Sequence, residues 1–190
     1  MTIHSPSTLQ QPDGVTRWAT WQEDHPKSPA PDVAALLRCE ASLTAALRAH
    51  SDDQLGLEVL REESTELAPL QAGELASPRG VVREVVLSGR DVPWVFAQTL
   101  IPLATSRAHS WLSSMGGKPL GDALFHHPDV QRSDLLFAQL ASGSALYDRA
   151  TEVGLVARSP FLWARRSYFF LGDERLLITE VFLPGLCPHR

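Results

Sequence analysis

Two charged residues stand alone inside apolar, strand-like runs of the sequence. Glu180 lies in the run 176–184, and Arg83 lies in the run 81–87. Side chains alternate between the faces of a strand, so each charge is expected to point the same way as its apolar neighbours two positions away. An ionised group that leaves water destabilises the fold unless it is paired or binds a ligand. The pattern predicts either a buried structural ion pair between Arg83 and Glu180 or a ligand site, and both remain open.

As parts of a ligand site, the two residues would have complementary roles. The guanidinium of Arg83 offers a planar fork of donors that fits a carboxylate. Glu180 can accept a hydrogen bond from a hydroxyl or transfer a proton. Such a site, set among apolar side chains, suits a small, ring-shaped, acidic ligand.

A pair of adjacent arginines is a second source of positive charge. Arg165 and Arg166 lie in a predicted strand between Trp163 and Tyr168, so their side chains should point to opposite faces of the sheet. One is then a solvated or aromatic-stacked arginine, and the other can add positive potential to an anion pocket. The pair is too small to indicate nucleic-acid binding.

The remaining motifs give weaker evidence for a catalytic or binding site. Residues 116–121 (GGKPLG) resemble a phosphate loop, but Leu112 stands where the first glycine is required and Pro119 replaces the Ser or Thr that would hold magnesium. This turn is either a plain helix stop or a set of backbone amides that can bind a carboxylate. His109 and the pair 126–127 lack further ligands at metal-like spacing, and no nucleophile signature is present.

Two predicted hairpins position the lone charges. They consist of residues 81–88 with 94–101 and of residues 162–171 with 175–183. The first carries Arg83 and has a glycine-containing connection at 89–93, which is typical of an antiparallel hairpin. The second carries Glu180.

Helical spacing predicts the elements around the hairpins. Apolar residues predict two short helices over 33–37 and 43–47, with Ser42 as the cap between them. A longer helix is predicted over 105–115, stopped by the glycine pair that follows, and Pro119 opens another short helix.

Strands dominate the pattern, with helices grouped between them. Residues 55–60 alternate weakly and predict a further strand, followed by a connection that runs to Pro78. Residues 129–160 have no clear assignment. The pattern predicts the α+β class with a mainly antiparallel sheet.

The composition fits one domain, over residues 31–190, with an irregular leader over residues 1–30. The chain has 190 residues, of which 44% are hydrophobic and 21% charged, enough for a single core. The leader is rich in proline, and Trp18 and Trp21 can anchor part of it on the domain. A net charge of -5 argues against nucleic acid or an acidic membrane surface as a partner.

The two cysteines indicate a reducing compartment. Cys39 and Cys187 show neither CxxC spacing nor a disulfide-dense pattern. The sequence also lacks a signal peptide and any run as long as a membrane span. We therefore expect a cytoplasmic protein, and we expect a monomer.

Four sequence blocks, in their order and spacing, resemble the chorismate pyruvate-lyase family. They are VREV (82–85) with PW (93–94), GKPLG (117–121) with LF (124–125), LWARRS (162–167) and LLITEVFLP (176–184). The likeness extends from residue 33 to residue 184. Any one block would be weak, whereas their common order is specific.

The resemblance implies both a fold and a reaction. The fold is a six-stranded antiparallel sheet flanked by helices, with helical flaps that close over a buried product site. The reaction converts chorismate to 4-hydroxybenzoate and pyruvate, without a cofactor or metal, as the first committed step of ubiquinone biosynthesis.

The resemblance also implies roles for individual residues. Arg83 holds the ring carboxylate and Glu180 contacts the ring 4-hydroxyl, and both are the expected catalytic residues. The backbone amide of Leu120 also binds the carboxylate, and Leu43 makes a backbone contact from the first flap, where the family can have Met. Gln98 departs from the family pattern, in which its strand often carries an arginine.

Two functions of another class stay open. Ligand-binding domains of some bacterial transcription regulators resemble the same fold, so the protein can be a small-molecule sensor. The short, Pro-rich leader and the lack of a basic face argue against an attached DNA-binding domain. The other alternative is a protein that binds an aromatic acid without catalysis.

Overall fold

A seven-stranded antiparallel sheet forms the centre of the computed structural model, which describes residues 16–21, 29–154 and 159–186. The strands are β1 (Leu55–Glu66), β2 (Arg79–Gly89), β3 (Val92–Pro102), β4 (Val130–Arg132), β5 (Leu136–Ala141), β6 (Phe161–Leu171) and β7 (Glu174–Phe182). Their order is β1-β2-β3-β7-β6-β4, and β5 pairs with the other half of β6. The prediction of an α+β fold with an antiparallel sheet is confirmed.

Helices cover both faces of this sheet. The α-helices are α1 (Pro31–Leu37), α2 (Leu43–His50), α3 (Pro69–Leu75), α4 (Leu103–Ala108), α5 (Leu120–His126) and α6 (Ala145–Val153), with short 3-10 helices at Ser110–Ser114 and Pro184–Leu186. Helices α1, α2 and α5 pack on the face that bears Arg83 and Glu180, which we call the site face. Helices α3 and α6 pack on the opposite face.

Both predicted hairpins are present, and the first turns through two non-glycine residues. Between β2 and β3 these are Arg90 and Asp91, with φ values of 52° and 63°. Positive φ at both positions gives the turn a twist that matches the strands. The expectation that glycine makes this turn was wrong. A Cβ on Gly89 would lie 2.1 Å from the ring of Trp94, so this glycine is required by packing.

The helix predicted over 105–115 is interrupted at His109, where α4 gives way to a 3-10 helix. Several serines lie here, and Ser114 Oγ donates to a backbone carbonyl three residues earlier. Such side-chain bonds compete with the backbone ladder and weaken a continuous helix. Leu112 and Met115 still pack into the core, as the helical spacing predicted.

Strand β1 is twice as long as the predicted strand over 55–60. It continues to Glu66 as an edge strand, with a register shift between Val59 and Arg61. Charged side chains on an exposed edge are common, because they discourage pairing with another chain. Helix α3 then fills much of the predicted connection, starting at Pro69, where the missing N–H costs nothing.

The described part of the leader lies against the domain. Ala19 forms an isolated antiparallel bridge with Phe137 of β5. The ring of Trp21 packs edge-on against Phe137, with centroids 5.3 Å apart, and lies 5.7 Å from Trp163. Trp18 stacks over the guanidinium of Arg166 at 4.5 Å. Both tryptophans thus contact the sheet, as the sequence suggested.

Candidate active site

A row of paired residues that begins with Arg83 crosses four strands on the site face. Arg83 in β2 pairs with Thr99 in β3, which pairs with Ile178 in β7, which pairs with Ser167 in β6. Paired residues point to the same face of a sheet. The row therefore connects Arg83 to Ser167 across about 14 Å of sheet.

Glu180 occupies the next row on the same face. It lies in β7 between Ala97 of β3 and Arg165 of β6. Glu180 is two strands and two residues away from Arg83, which corresponds to about 12 Å between their Cα atoms. Both charges thus lie on one face of the sheet, among the apolar neighbours that the alternation predicted, and their Cα atoms are well separated.

These polar rows lie between two apolar clusters. On β7, Glu180 stands between Ile178, which belongs to one cluster, and Phe182, which belongs to the other. The first cluster is covered by α5 and the 3-10 helix, and the second by α1 and α2. Polar groups are thus held in a largely buried environment, where electrostatic contacts are strengthened.

Arg83 is buried, with 2% of its side chain exposed, and its contacts lie on the α5 side. Its Nη1 forms an ion pair with Glu62 of β1. Its Nη2 donates to the carbonyls of Gly116 and Lys118, at 2.7 and 3.1 Å. The guanidinium therefore lies against the turn that precedes Leu120. The alternative of a direct Arg83–Glu180 ion pair was wrong.

The partner of Glu180 is Arg165. Nε of Arg165 donates to Oε2 of Glu180 at 2.5 Å, while no hydrogen bond from a described residue reaches Oε1. The Glu180 side chain is 16% exposed and that of Arg165 is 1% exposed. One carboxylate oxygen is thus held in place and the other is available to a hydroxyl.

Arg165 also connects this carboxylate to the chain around α1. Its Nη1 donates to three carbonyls near the end of that helix, those of Leu36 at 3.1 Å, Leu37 at 3.1 Å and Cys39 at 2.7 Å. A cation at a helix C-terminus satisfies carbonyls that have no partner within the helix. Of the two adjacent arginines, Arg165 is the one that supplies positive charge on the site face.

Leu43 and Leu120, the two residues that the resemblance implies for backbone contacts with the ligand, each begin a helix that covers the site face. Leu43 starts α2 and Leu120 starts α5, and both side chains are buried. Ser42 caps α2 by accepting from the Ala45 amide, as predicted, and its Oγ also donates to Asp122 Oδ1 at 3.0 Å. This bond joins the first turns of α2 and α5 above the polar rows.

Arg132, which the sequence pattern did not single out, completes the polar surroundings. Its Nε donates to Ser167 Oγ at 2.8 Å and its Nη1 to the Glu40 carbonyl at 2.9 Å. Its guanidinium lies over the rings of Phe125 and Phe169, at 5.1 and 5.5 Å.

The groups around Arg132 change the pKa of its guanidinium. Burial lowers the pKa of the Arg132 guanidinium, and the positive charge of Arg165 lowers it further, whereas Glu180 acts in the opposite direction. Arg132 is thus close enough to interact electrostatically with both members of the Arg165–Glu180 pair.

Arg132 lies in β4, which has only three residues. A strand this short shows no periodicity in the sequence, so the sequence could not predict it.

Gln98 and Arg166 lie on the opposite face of the sheet. Gln98 donates to Glu84, which is 2% exposed and also accepts from Arg149 Nε at 2.9 Å. Arg166 forms an ion pair with Glu74. The departure from the family pattern at Gln98 therefore does not touch the site face directly.

Neither the larger open cleft nor a group of potential metal ligands coincides with Arg83 and Glu180 in the described ranges. The larger open cleft is lined by Trp94, Trp163 and Phe182, among others, and by neither Arg83 nor Glu180. Residues 16–21, 29–154 and 159–186 contain no cluster of three potential metal ligands. No helix in these ranges is long and apolar enough to cross a membrane.

Two C-terminal domains are among the solved structures with a similar fold. The C-terminal domain of a histidine utilization repressor from Pseudomonas syringae pv. tomato has a TM-score of 0.53 and 11% identity, over 72% of this chain and 94% of that one. The PhnF C-terminal domain has a TM-score of 0.55 and 10% identity, and the match covers 69% of this chain and 84% of that one. At this identity the likeness concerns the fold alone.

Sequence comparison identifies the family. The family model for chorismate lyase matches residues 15–188. A probable chorismate pyruvate-lyase from Azoarcus sp. (strain BH72) is 34% identical over 179 residues, 88% of this chain and 92% of its own. A second probable chorismate pyruvate-lyase, from Aromatoleum aromaticum, is 37% identical over 177 residues, which cover 88% of this chain and 93% of its own.

The family model and the relatives indicate a class of enzyme, the carbon–oxygen lyases that act on chorismate. The chain belongs to the chorismate lyase family. The predicted family and enzyme class are confirmed.

Proposed function

We propose that the protein converts chorismate to 4-hydroxybenzoate and pyruvate in the buried space between Arg83 and Glu180, as the first committed step of ubiquinone biosynthesis. The observation that carries the proposal is the pair of opposite charges on one largely buried face of the sheet, about 12 Å apart between Cα atoms and not in contact with each other. We further propose that it acts as a cytoplasmic monomer.

In the proposed complex, each charge contacts one end of the ring. Arg83 binds the ring carboxylate with N–H donors that its present contacts do not use, together with the amide of Leu120 at the start of α5. The backbone of Leu43 contacts the ligand from the first flap. Oε1 of Glu180 accepts a hydrogen bond from the ring 4-hydroxyl. Access requires that α2 and α5 move apart, since both cover these groups.

The reaction is an elimination that yields an aromatic ring. The ether bond between the ring and the enolpyruvyl side chain breaks, the adjacent ring carbon loses its hydrogen as a proton, and the departing enolate takes up a proton on carbon to become pyruvate. Aromatisation supplies the driving force. The protein has to orient the ring and stabilise the charge that develops on the ether oxygen.

The test is incubation of the purified protein with chorismate, with both products quantified. Equal amounts of pyruvate and 4-hydroxybenzoate support the proposal. Glu180→Ala is expected to lower kcat more than it weakens 4-hydroxybenzoate binding, because the ring hydroxyl is only one of several contacts. A protein that binds 4-hydroxybenzoate but releases neither product from chorismate would contradict the proposed activity and fit a binding protein or sensor.

A further inference from the structure

Arg132 is a partly buried cation that forms no ion pair with a carboxylate of the described residues. Its hydrogen bonds reach only two neutral acceptors, Ser167 Oγ and the Glu40 carbonyl. Two aromatic rings cover its guanidinium. A desolvated charge with neutral partners is costly, and an anionic ligand would offset that cost.

Arg132 is placed at the opposite end of the row that begins with Arg83. Its Nε is bonded to Ser167, and three strand spacings separate Ser167 from Arg83, about 14 Å. Thr99 and Ile178 form the floor between them. Both arginine side chains therefore lie on the same face of the sheet, at opposite ends of this row.

The other arginines near this space are already neutralised by carboxylates. Arg83 is paired with Glu62, and Arg165 is paired with Glu180. Of Arg83, Arg132 and Arg165, Arg132 is the one whose guanidinium contacts no carboxylate of the described residues. It also lies next to Arg165–Glu180, where the ring hydroxyl is proposed to bind.

A substrate with two carboxylates matches this arrangement. Chorismate has one on the ring and another on the enolpyruvyl side chain, which leaves as pyruvate. We propose that Arg132, supported by Ser167, binds the carboxylate of the side chain, an inference that rests on the proposed function. The Arg132 guanidinium then lies beside the ether oxygen. Its positive charge stabilises the negative charge that develops on this oxygen as the bond breaks.

The test compares chorismate, which carries the enolpyruvyl side chain, with the aromatic product 4-hydroxybenzoate, which lacks it. Arg132→Gln removes the charge but keeps a hydrogen-bonding group, and it should raise the KM for chorismate roughly tenfold or more. The competitive inhibition constant of 4-hydroxybenzoate, which lacks the second carboxylate, should stay within about twofold. Arg132→Lys keeps the charge but lacks the planar fork of donors. Its KM for chorismate should lie between those of the wild type and of Arg132→Gln. Arg166→Gln is the matched control, since it removes an arginine from the opposite face.

The outcomes separate this proposal from the proposed function. Equal weakening of both ligands, or an unchanged KM for chorismate in folded Arg132→Gln protein, would overturn the role of Arg132. If the wild-type protein releases no pyruvate, the proposed activity fails, and calorimetric titration of chorismate and 4-hydroxybenzoate replaces kinetics. A selective loss of chorismate binding in Arg132→Gln would then still support the carboxylate site, and an equal loss would reject it.

Discussion

Arg165 on β6 donates its Nε hydrogen to Oε2 of Glu180 on β7, with 2.5 Å between the two atoms. The same guanidinium donates to three carbonyls at the end of α1. The orientation of the proposed catalytic carboxylate is therefore coupled to the position of the helices that cover it. We therefore expect Arg165 to act as a positioning residue through Glu180.

Removing this contact should affect turnover more than binding. We expect Arg165→Met to lower kcat by roughly 10- to 100-fold, because a small displacement of a reacting group is costly. The KM for chorismate should change much less. Arg165→Lys should recover part of kcat, since it keeps a donor and a charge. A variant that stays folded with unchanged kcat would show that Glu180 does not need this support.

The hydrogen bond between Ser42 and Asp122 is expected to slow the opening of the flaps. Asp122→Ala removes it without touching the N-cap of α2, and a loss of about 1 kcal/mol corresponds to roughly fivefold faster ligand release. Asp122→Asn keeps an acceptor oxygen and serves as the control. Stopped-flow measurement of 4-hydroxybenzoate dissociation tests this, and equal rates in Asp122→Ala and wild-type protein would rule the role out.

On the opposite face, the pair of Glu84 and Arg149 should contribute to stability alone. Arg149→Met leaves the buried carboxylate with only Gln98, and we expect a loss of about 2 kcal/mol in the free energy of unfolding. Glu152→Ala breaks only the exposed pair of the same arginine and should cost less than about 0.5 kcal/mol. Denaturant unfolding measures both, and a changed KM for chorismate would contradict the separation of the two faces.

Strong local signals in the sequence predicted the framework of the site. Alternation in two long apolar runs placed Arg83 and Glu180 on strands, and Ser42 was recognised as a cap because its side chain and the spacing after it satisfy a helix start. The opposite faces of Arg165 and Arg166 follow from the same alternation. These features depend on neighbours in the chain.

Features that depend on distant contacts were not predictable. The partners of Arg83 and Glu180 come from β1 and β6, which only the folded sheet brings beside them. Arg132 lies in a three-residue strand whose pairing with β6 defines it. At His109 the backbone leaves the helical region, with φ of -122° and ψ of 73°, while the apolar spacing continues, so the spacing could not reveal this break.

The central claim is that Arg83 and Glu180 contact opposite ends of one ligand. Calorimetric affinities of 4-hydroxybenzoate, its methyl ester and benzoate, each with the wild-type, Arg83→Ala and Glu180→Ala proteins, test it most directly. The ester should bind the wild type roughly tenfold or more weakly than the acid, and Arg83→Ala should remove that difference. Glu180→Ala should instead remove the preference for 4-hydroxybenzoate over benzoate. If both variants reduced both preferences equally, or neither did, the opposed arrangement would be contradicted.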